Sequence, residues 1–259
     1  MLTTRIDLSS SGVSTWPAAL VVWGPGRRWT SHAHHSVKVL VALDGTLRVR
    51  THRPDGWRSC GAVVVPADVK HEIDALGSQV LILFLDPESE STASLLKRIG
   101  SKTTPVPDDV VADWRQALGN GRQIDSGRVD AWVRKEFSSV SRPRRLHAGV
   151  RRVLEYLRGD NLDRDQTSLN TLADVARLSP SRLMHVFTES VGIPLRPYIL
   201  WLRVQRAACA LNTGHTPTEA ALLAGFSDAP HLVRTLRRTL GTTPGKLLSR
   251  VPIATDVHV

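Results

Sequence analysis

A chain of 259 residues, 41% hydrophobic and 22% charged, can form one large domain or two modest ones, each with its own apolar core. Its two cysteines, Cys60 and Cys209, lie far apart and offer neither a disulfide framework nor a cysteine zinc site. The net charge of +10 is uneven: residues 1–141 hold 17 Lys/Arg against 15 Asp/Glu, whereas residues 142–259 hold 17 against 9, so a basic module follows a near-neutral one, the electrostatic footprint of a nucleic-acid binder.

The opening residues MLTTRIDLSSSG lack the basic start and long apolar run of a signal peptide, and runs such as VLVAL and VLILFL are too short to span a bilayer. A cytoplasmic location with no membrane partner is the expectation. The first eighty-five residues then read as β. AALVVW, VKVLVAL, TLRVRT, GAVVV and VLILFL are short, branched and apolar, and are separated by turn signals at Asp44-Gly45 and RPDG 53–56. Strands this short and this closely spaced predict a sandwich or barrel.

After residue 90 the period changes to that of amphipathic helices in TASLLKRI, DDVVADWRQAL and RVDAWVRKEF. The last of these, with Trp132 and Phe137, is a candidate dimer surface, the alternative being that it packs back on the barrel. SSVSRPRR, polar and basic with a proline, reads as a linker at 138–145.

Everything beyond the linker reads as helix. In SLNTLADVARLSPSRLMHVFTESVG (168–192), Ser168 caps one helix and Ser179 a second, with Pro180 at its first position and Gly192 at its end. Leu183 and Phe187 share a face. The pattern recurs in TPTEAALLAGFSDAPHLVRTLRRTLG (216–241), where Gly225-Phe226 turns, Ser227 or Asp228 caps, and Leu232 and Leu236 share a face. PLRPYILWLRVQRAACALN joins the two as one long helix. Two tandem helix-turn-helix units result.

Residues 148–248 resemble the DNA-binding domain of AraC/XylS-type transcriptional regulators. The likeness rests on LADVARLSPSRLMHVFTESVGIPLRPYI, on Tyr198, Leu202, Arg203, Arg206, Ala207 and Leu211 of the connecting helix, and on AALLAGFSDAPHLVRTLRRTLGTTPGKLL with its Thr243-Pro244. The departures are Leu232 and Leu236 where the family usually has phenylalanine, Ala221 for isoleucine, and Pro230 early in the second recognition helix. The resemblance implies double-stranded DNA as partner, with Ser181, Arg182, Met184 and His185, and then Pro230, His231, Val233 and Arg234, facing it. Arg234 is the candidate for bidentate pairing with guanine. Arg238, with Arg237, Arg203 and Arg206, is expected to touch phosphate or brace the helices.

GRRWTSHAHHSVKVLVALDG resembles the first cupin motif through Gly26, His32, His34 and Gly45, with Lys38 where a glutamate ligand is usual. GAVVVPADVKH resembles the second through Pro66 and His71, with Asp68 where glycine is usual. If 32–43 is one strand, His32, His34 and Lys38 share a face and His35 points away. The ammonium of Lys38 opposes a dication, so no metal and no cofactor are expected. A pocket for a small-molecule effector, walled by Trp23, Trp29, His32, His34, Lys38 and His71, is the expectation. A metal site on His32, His34 and His71 and a relic scaffold with core histidines remain open beside it.

The fold class expected is α+β multidomain: an N-terminal cupin-like β-barrel with following helices at 1–140 for sensing or dimerisation, and a C-terminal all-α tandem helix-turn-helix domain at 145–250. The function implied is a sequence-specific transcriptional regulator, expected as a homodimer, with RNA polymerase as a partner if it activates. The alternative is a metal-dependent cupin enzyme carrying a DNA-binding module. No nucleophile–base set, P-loop or dinucleotide fingerprint is present in the sequence.

Overall fold

The computed structural model describes residues 12–16, 19–51, 56–87, 89–99, 102–119, 124–137, 146–159, 161–163 and 165–245. The predicted linker at 138–145 and most of the turn at 53–56 lie outside the described residues.

The first half is an antiparallel barrel flattened into two sheets. Strands β1 (Gly12–Trp16), β2 (Ala19–Pro25), β9 (Gln79–Leu85), β4 (Val37–Ala42), β7 (Ala62–Val65) and β10 (Thr104–Pro105) form a six-stranded sheet in that order. Strands β3 (Arg28–His32), β8 (His71–Asp74), β5 (Leu47–Arg50) and β6 (Arg58–Cys60) form the second. All five strands expected from the sequence are present.

The central strands of the larger sheet are buried on both faces. Leu20, Val22, Leu40, Val63, Ile82 and Phe84 point into the barrel. Val21, Trp23, Val39, Val64, Leu81 and Leu83 point outward, beneath helices α1 (Glu90–Ile99), α2 (Asp108–Leu118) and α3 (Ser126–Phe137). A strand covered on both sides has no reason to alternate polar with apolar, which is why VLILFL and VKVLVAL are nearly continuous apolar runs.

Two expectations are corrected here. Residues 32–43 are not one strand: β3 ends at His32 and β4 begins at Val37, and the two belong to different sheets. The polar residues His34, His35 and Ser36 carry the chain across the barrel mouth instead of continuing a ladder. The apolar face of α3 is not a free dimer surface. Trp132 and Phe137 are buried, with ring centroids 5.0 Å apart, and Trp114 of α2 stands edge-on to Trp132 at 5.5 Å. The outer face of the sheet takes this aromatic cluster as its cover.

The second half is helical: α4 (Ala148–Arg158), α5 (Leu169–Ala176), α6 (Pro180–Val191), α7 (Leu195–Asn212), α8 (Pro217–Leu223) and α9 (Ala229–Leu240). Ser168, Ser179 and Asp228 each accept a backbone N–H in the first turn of α5, α6 and α9, and Thr216 forms a full capping box with Glu219 on α8. Asp228, not Ser227, is the cap of α9. Leu172, Ala173, Leu183, Phe187 and Tyr198 make the core of the first unit together with Val150, Val153 and Leu157 of α4. The core of the second unit, Leu211, Ala221, Leu232 and Leu236, is continuous with the interior of the barrel.

Gly225 ends the turn between α8 and α9 at φ +76°, and a Cβ there would lie 2.2 Å from the carbonyl oxygen of Leu162. Arg203 on α7 donates to that same oxygen at 2.9 and 3.1 Å, so the turn is locked to the α4–α5 connection. Gly225→Ala should destabilise the chain by more than the ~1–2 kcal/mol of a left-handed alanine alone, because backbone must also move. Gly77→Ala, at φ +84° with nothing within 4 Å of its Cβ, supplies the conformational part by itself. Thermal midpoints of the two variants check this; Gly225→Ala falls further below the parent.

Candidate functional site

Each unit presents one helix whose apolar edge is anchored and whose other edge is bare. On α6, Leu183, Val186 and Phe187 are buried while Ser181, Arg182, Met184, His185 and Thr188 are exposed. Met184 keeps 47% of its surface in solvent on this edge. On α9, Leu232, Thr235, Leu236 and Leu240 are buried, and Pro230, Arg234, Arg237 and Arg238 are exposed. At 100° per residue Arg234 lies two positions from each of Leu232 and Leu236, opposite the anchored edge.

Two residues named from the sequence are more structural than expected. His231 is half-buried: its ring stands edge-on to Phe226 at 5.2 Å and its Nδ1 is 3.1 Å from the Ser227 hydroxyl. Val233 is half-buried as well. Arg203 and Arg206 brace the helices, Arg203 on Leu162 and Thr167 and Arg206 on the Gly159 carbonyl at 2.8 Å.

The barrel mouth brings four sequence-predicted residues together. Nζ of Lys38 is 3.3 Å from Nε2 of His32 and 3.4 Å from Nε2 of His71. His34 joins them, with ring centroids 5.6 Å from His32 and 5.1 Å from His71. The three rings converge from β3, the crossing segment and β8, while Lys38 comes from β4 in the opposite sheet. As expected, His35 points elsewhere, with Nδ1 3.0 Å from Asp68. Asp68 sits at φ +62°, which explains a glycine as the usual residue in that motif.

Burial and the Lys38 ammonium both oppose protonation of the histidines. Burial pushes His71 down to about 3, with Lys38 and His32 adding to it; burial and Lys38 push His34 still lower.

Trp29 is half-buried beside the barrel interior, but Trp23 is not a pocket wall. It faces the opposite side of the sheet, because its register partner Leu81 and its neighbour Val21 point toward the outer helices. The barrel interior is lined by buried apolar side chains such as Leu20, Leu40, Val63 and Ile82. The larger of two described cavities, about 500 Å³, lies outside the mouth. It is bounded by His35, Ser36 and Asp68 of the crossing segments, Leu200 and Trp201 of α7, and Arg238 of α9. Arg238 meets the barrel through its backbone, while its side chain is exposed on the same face of α9 as that of Arg234. The indole N–H of Trp201 is buried without an acceptor. The backbone N–H of His35 donates to the Arg238 carbonyl at 2.6 Å, and the Gln205 amide donates to the Ala19 carbonyl at 2.6 Å, so the cavity sits in a bonded seam. No signal in a linear pattern points to this cavity.

Residues 172–250 match the family model described as a helix-turn-helix domain. The matched segment is a helix-turn-helix domain. An uncharacterised HTH-type transcriptional regulator of Staphylococcus aureus (strain MSSA476) is 31% identical over 93 residues, which is 36% of this chain and 12% of that protein. The chain therefore spans about an eighth of the length of the first curated relatives it matches. The bifunctional transcriptional activator/DNA repair enzyme AdaA of Bacillus subtilis is 28% identical over 95 residues, 36% of this chain and 44% of that one. Among solved structures, ToxT from Vibrio cholerae O395 aligns over 93% of this chain and 99% of its own at 13% identity with a TM-score of 0.48. The sequence resemblance to AraC-type regulators thus holds for the helix-turn-helix domain, where the tandem units, the caps and α7 are all in place.

The buried histidines give a pH dependence whose sign is fixed. His34 and His71 bind protons more weakly in the folded chain than in the unfolded one, where histidine titrates near 6.5. Their contribution is complete above about pH 6.5 and is lost as pH falls toward about 3, the folded value of His71. Each can remove at most about 1.4 kcal/mol per pH unit below 6.5. Urea midpoints at pH 7, 6 and 5, above the range where most carboxylates titrate, should fall steadily; an unchanged midpoint would mean the rings are not neutral and buried in solution.

Proposed function

We propose that this chain is a sequence-specific, DNA-binding transcriptional regulator in which α6 and α9 read successive major-groove segments of one duplex. The observation that carries the reading is the pair of capped recognition helices, each with a buried edge and a bare polar edge, joined by the single rigid helix α7. The basic excess of residues 142–259 and the regulator names of the relatives support it. In this reading Ser181, Arg182, Met184 and His185 of α6 meet base edges, with Pro230 and Arg234 of α9. His231 and Val233 shape the start of α9 and touch bases only with the edges they leave exposed. Arg238 reaches phosphate, and its place beside the cavity ties that contact to the barrel.

We retain the division into a sensor at 1–140 and a DNA-binding domain at 145–250, with the two sharing an apolar seam. Control by a small ligand is carried by the cavity between the barrel mouth, α7 and α9. An occupant there would touch the sensor and the second recognition unit at once. A homodimer, a cytoplasmic location and contact with RNA polymerase complete the proposal.

The experiment is affinity of the full chain for its own promoter region and for single-base variants, at several salt concentrations. Binding should weaken with salt with a log–log slope of about −0.9 per phosphate neutralised. Arg234→Ala should lose about 1–3 kcal/mol of discrimination at one base position. Arg238→Ala should weaken all sequences alike and reduce the salt slope by about one ion. Salt-insensitive binding, or full base preference in Arg234→Ala, overturns the assignment.

A further inference from the structure

The three histidines at the barrel mouth are oriented alike. Nδ1 of His32 is 2.7 Å from the Thr30 carbonyl, Nδ1 of His34 is 2.9 Å from that of Ser36, and Nδ1 of His71 is 2.8 Å from that of Val69. A carbonyl only accepts, so each Nδ1 carries a hydrogen and each neutral ring keeps its lone pair on Nε2. Within the cluster, one ligand atom from each ring lies within 4.8 Å of the others. Backbone carbonyls behind three imidazoles are how proteins aim a tri-histidine set at one transition dication.

The donor set fits such an ion, but its surroundings do not. The cupin-like motifs put a carboxylate in the position held here by Lys38. That side chain is 2% exposed, and its ammonium stands against the Nε2 atoms of His32 and His71 and 5.6 Å from the Phe84 ring centroid. It contributes a positive charge where the ion would bring two more, and its hydrogens already engage two of the lone pairs. The third, on His34 Nε2, is buried with no hydrogen-bond partner.

We propose that the Lys38 ammonium is the built-in cation of this three-imidazole site, standing where a divalent transition metal would otherwise be held. The chain keeps the donors of a metal centre and supplies the cation from its own sequence. The same cage is the seat of α9. Gly241 ends that helix at φ +65°, and a Cβ there would lie 2.8 Å from Cδ2 of His34 and 2.9 Å from Cδ2 of His32. The end of the second recognition helix therefore rests on rings whose spacing a side-chain cation maintains, whatever the metal supply.

The inference is independent of DNA binding, and its test is metal binding by the purified full chain without an affinity tag. Wild type, equilibrated with Co2+ and desalted, should retain less than about a tenth of an equivalent, whereas Lys38→Glu should retain about one, with visible d–d absorption. Adding His34→Ala to Lys38→Glu should abolish that absorption. Lys38→Gln, which removes the charge and adds no carboxylate, should bind the ion more weakly than Lys38→Glu but more tightly than wild type. If Lys38→Glu folds poorly alone, Zn2+ should restore its circular dichroism and thermal midpoint, so recovery itself reads the site. One equivalent held by wild type and lost in His34→Ala overturns the proposal. So does a Lys38→Glu chain that is folded but metal-free, or one that no metal restores.

Discussion

The larger sheet of the barrel is apolar on both faces, and each face needs a cover. The outer face takes α1–α3, with Trp114, Trp132 and Phe137 in its apolar cluster and Trp132 edge to face with the other two rings. The inner face takes the four-stranded sheet, and at the open end its apolar cluster runs on into α7–α9. Burial of this kind is the dominant favourable contribution to folding, at roughly 25 cal/mol per Å² of apolar surface. The second helix-turn-helix unit thus completes the barrel's core as well as carrying a recognition helix. The first unit has a core of its own, built with α4. The two units differ in this respect although their local patterns are alike: one has its own core and the other leans on the barrel.

A cluster of polar groups lies at the seam where that closure is made. The crossing segment from His32 to Ser36 leaves the ladder, and its backbone finds partners across the seam, His35 on Arg238 among them. The imidazoles beneath are oriented by carbonyls, and two of them, His32 and His71, meet the Lys38 ammonium. The cavity beside them has one side of barrel, one of α7 and one of α9. Anything that fills it must bear on the position of α9 relative to α6, because α7 is the rigid connection between them. Regulation through a seam requires only a differential affinity for two placements of the second unit.

Much of this was legible in the linear pattern. Helix starts at Ser168, Ser179 and Asp228 were readable because caps are local devices: the oxygen that caps a helix is two or three residues from the N–H it satisfies. The anchored edges of α6 and α9 were readable for the same reason, since Leu183 with Phe187 and Leu232 with Leu236 are four apart. The strands were readable as apolar runs, but not their faces. With both faces buried, alternation is lost, and Trp23 could be placed on the wrong side. His32 and Lys38 did share a site, though not as neighbours on one strand.

The helix-turn-helix repeat, its caps and the anchored edges of α6 and α9 follow from the sequence alone, because each depends on interactions that span about one helical turn; His231 and Val233, half-buried, show that the outward face does not. Tertiary packing is what makes Trp132 and Phe137 core, puts the cavity between the modules, brings Gly241 and the Arg238 carbonyl against the barrel, and sets Lys38 on two of three clustered imidazoles. Those facts join residues such as Lys38 with His71, His34 with Gly241 and Ala19 with Gln205, which lie tens to hundreds of positions apart. Contacts of that separation are set by how two sheets and a helical unit exclude water together, and no local period in the chain encodes them.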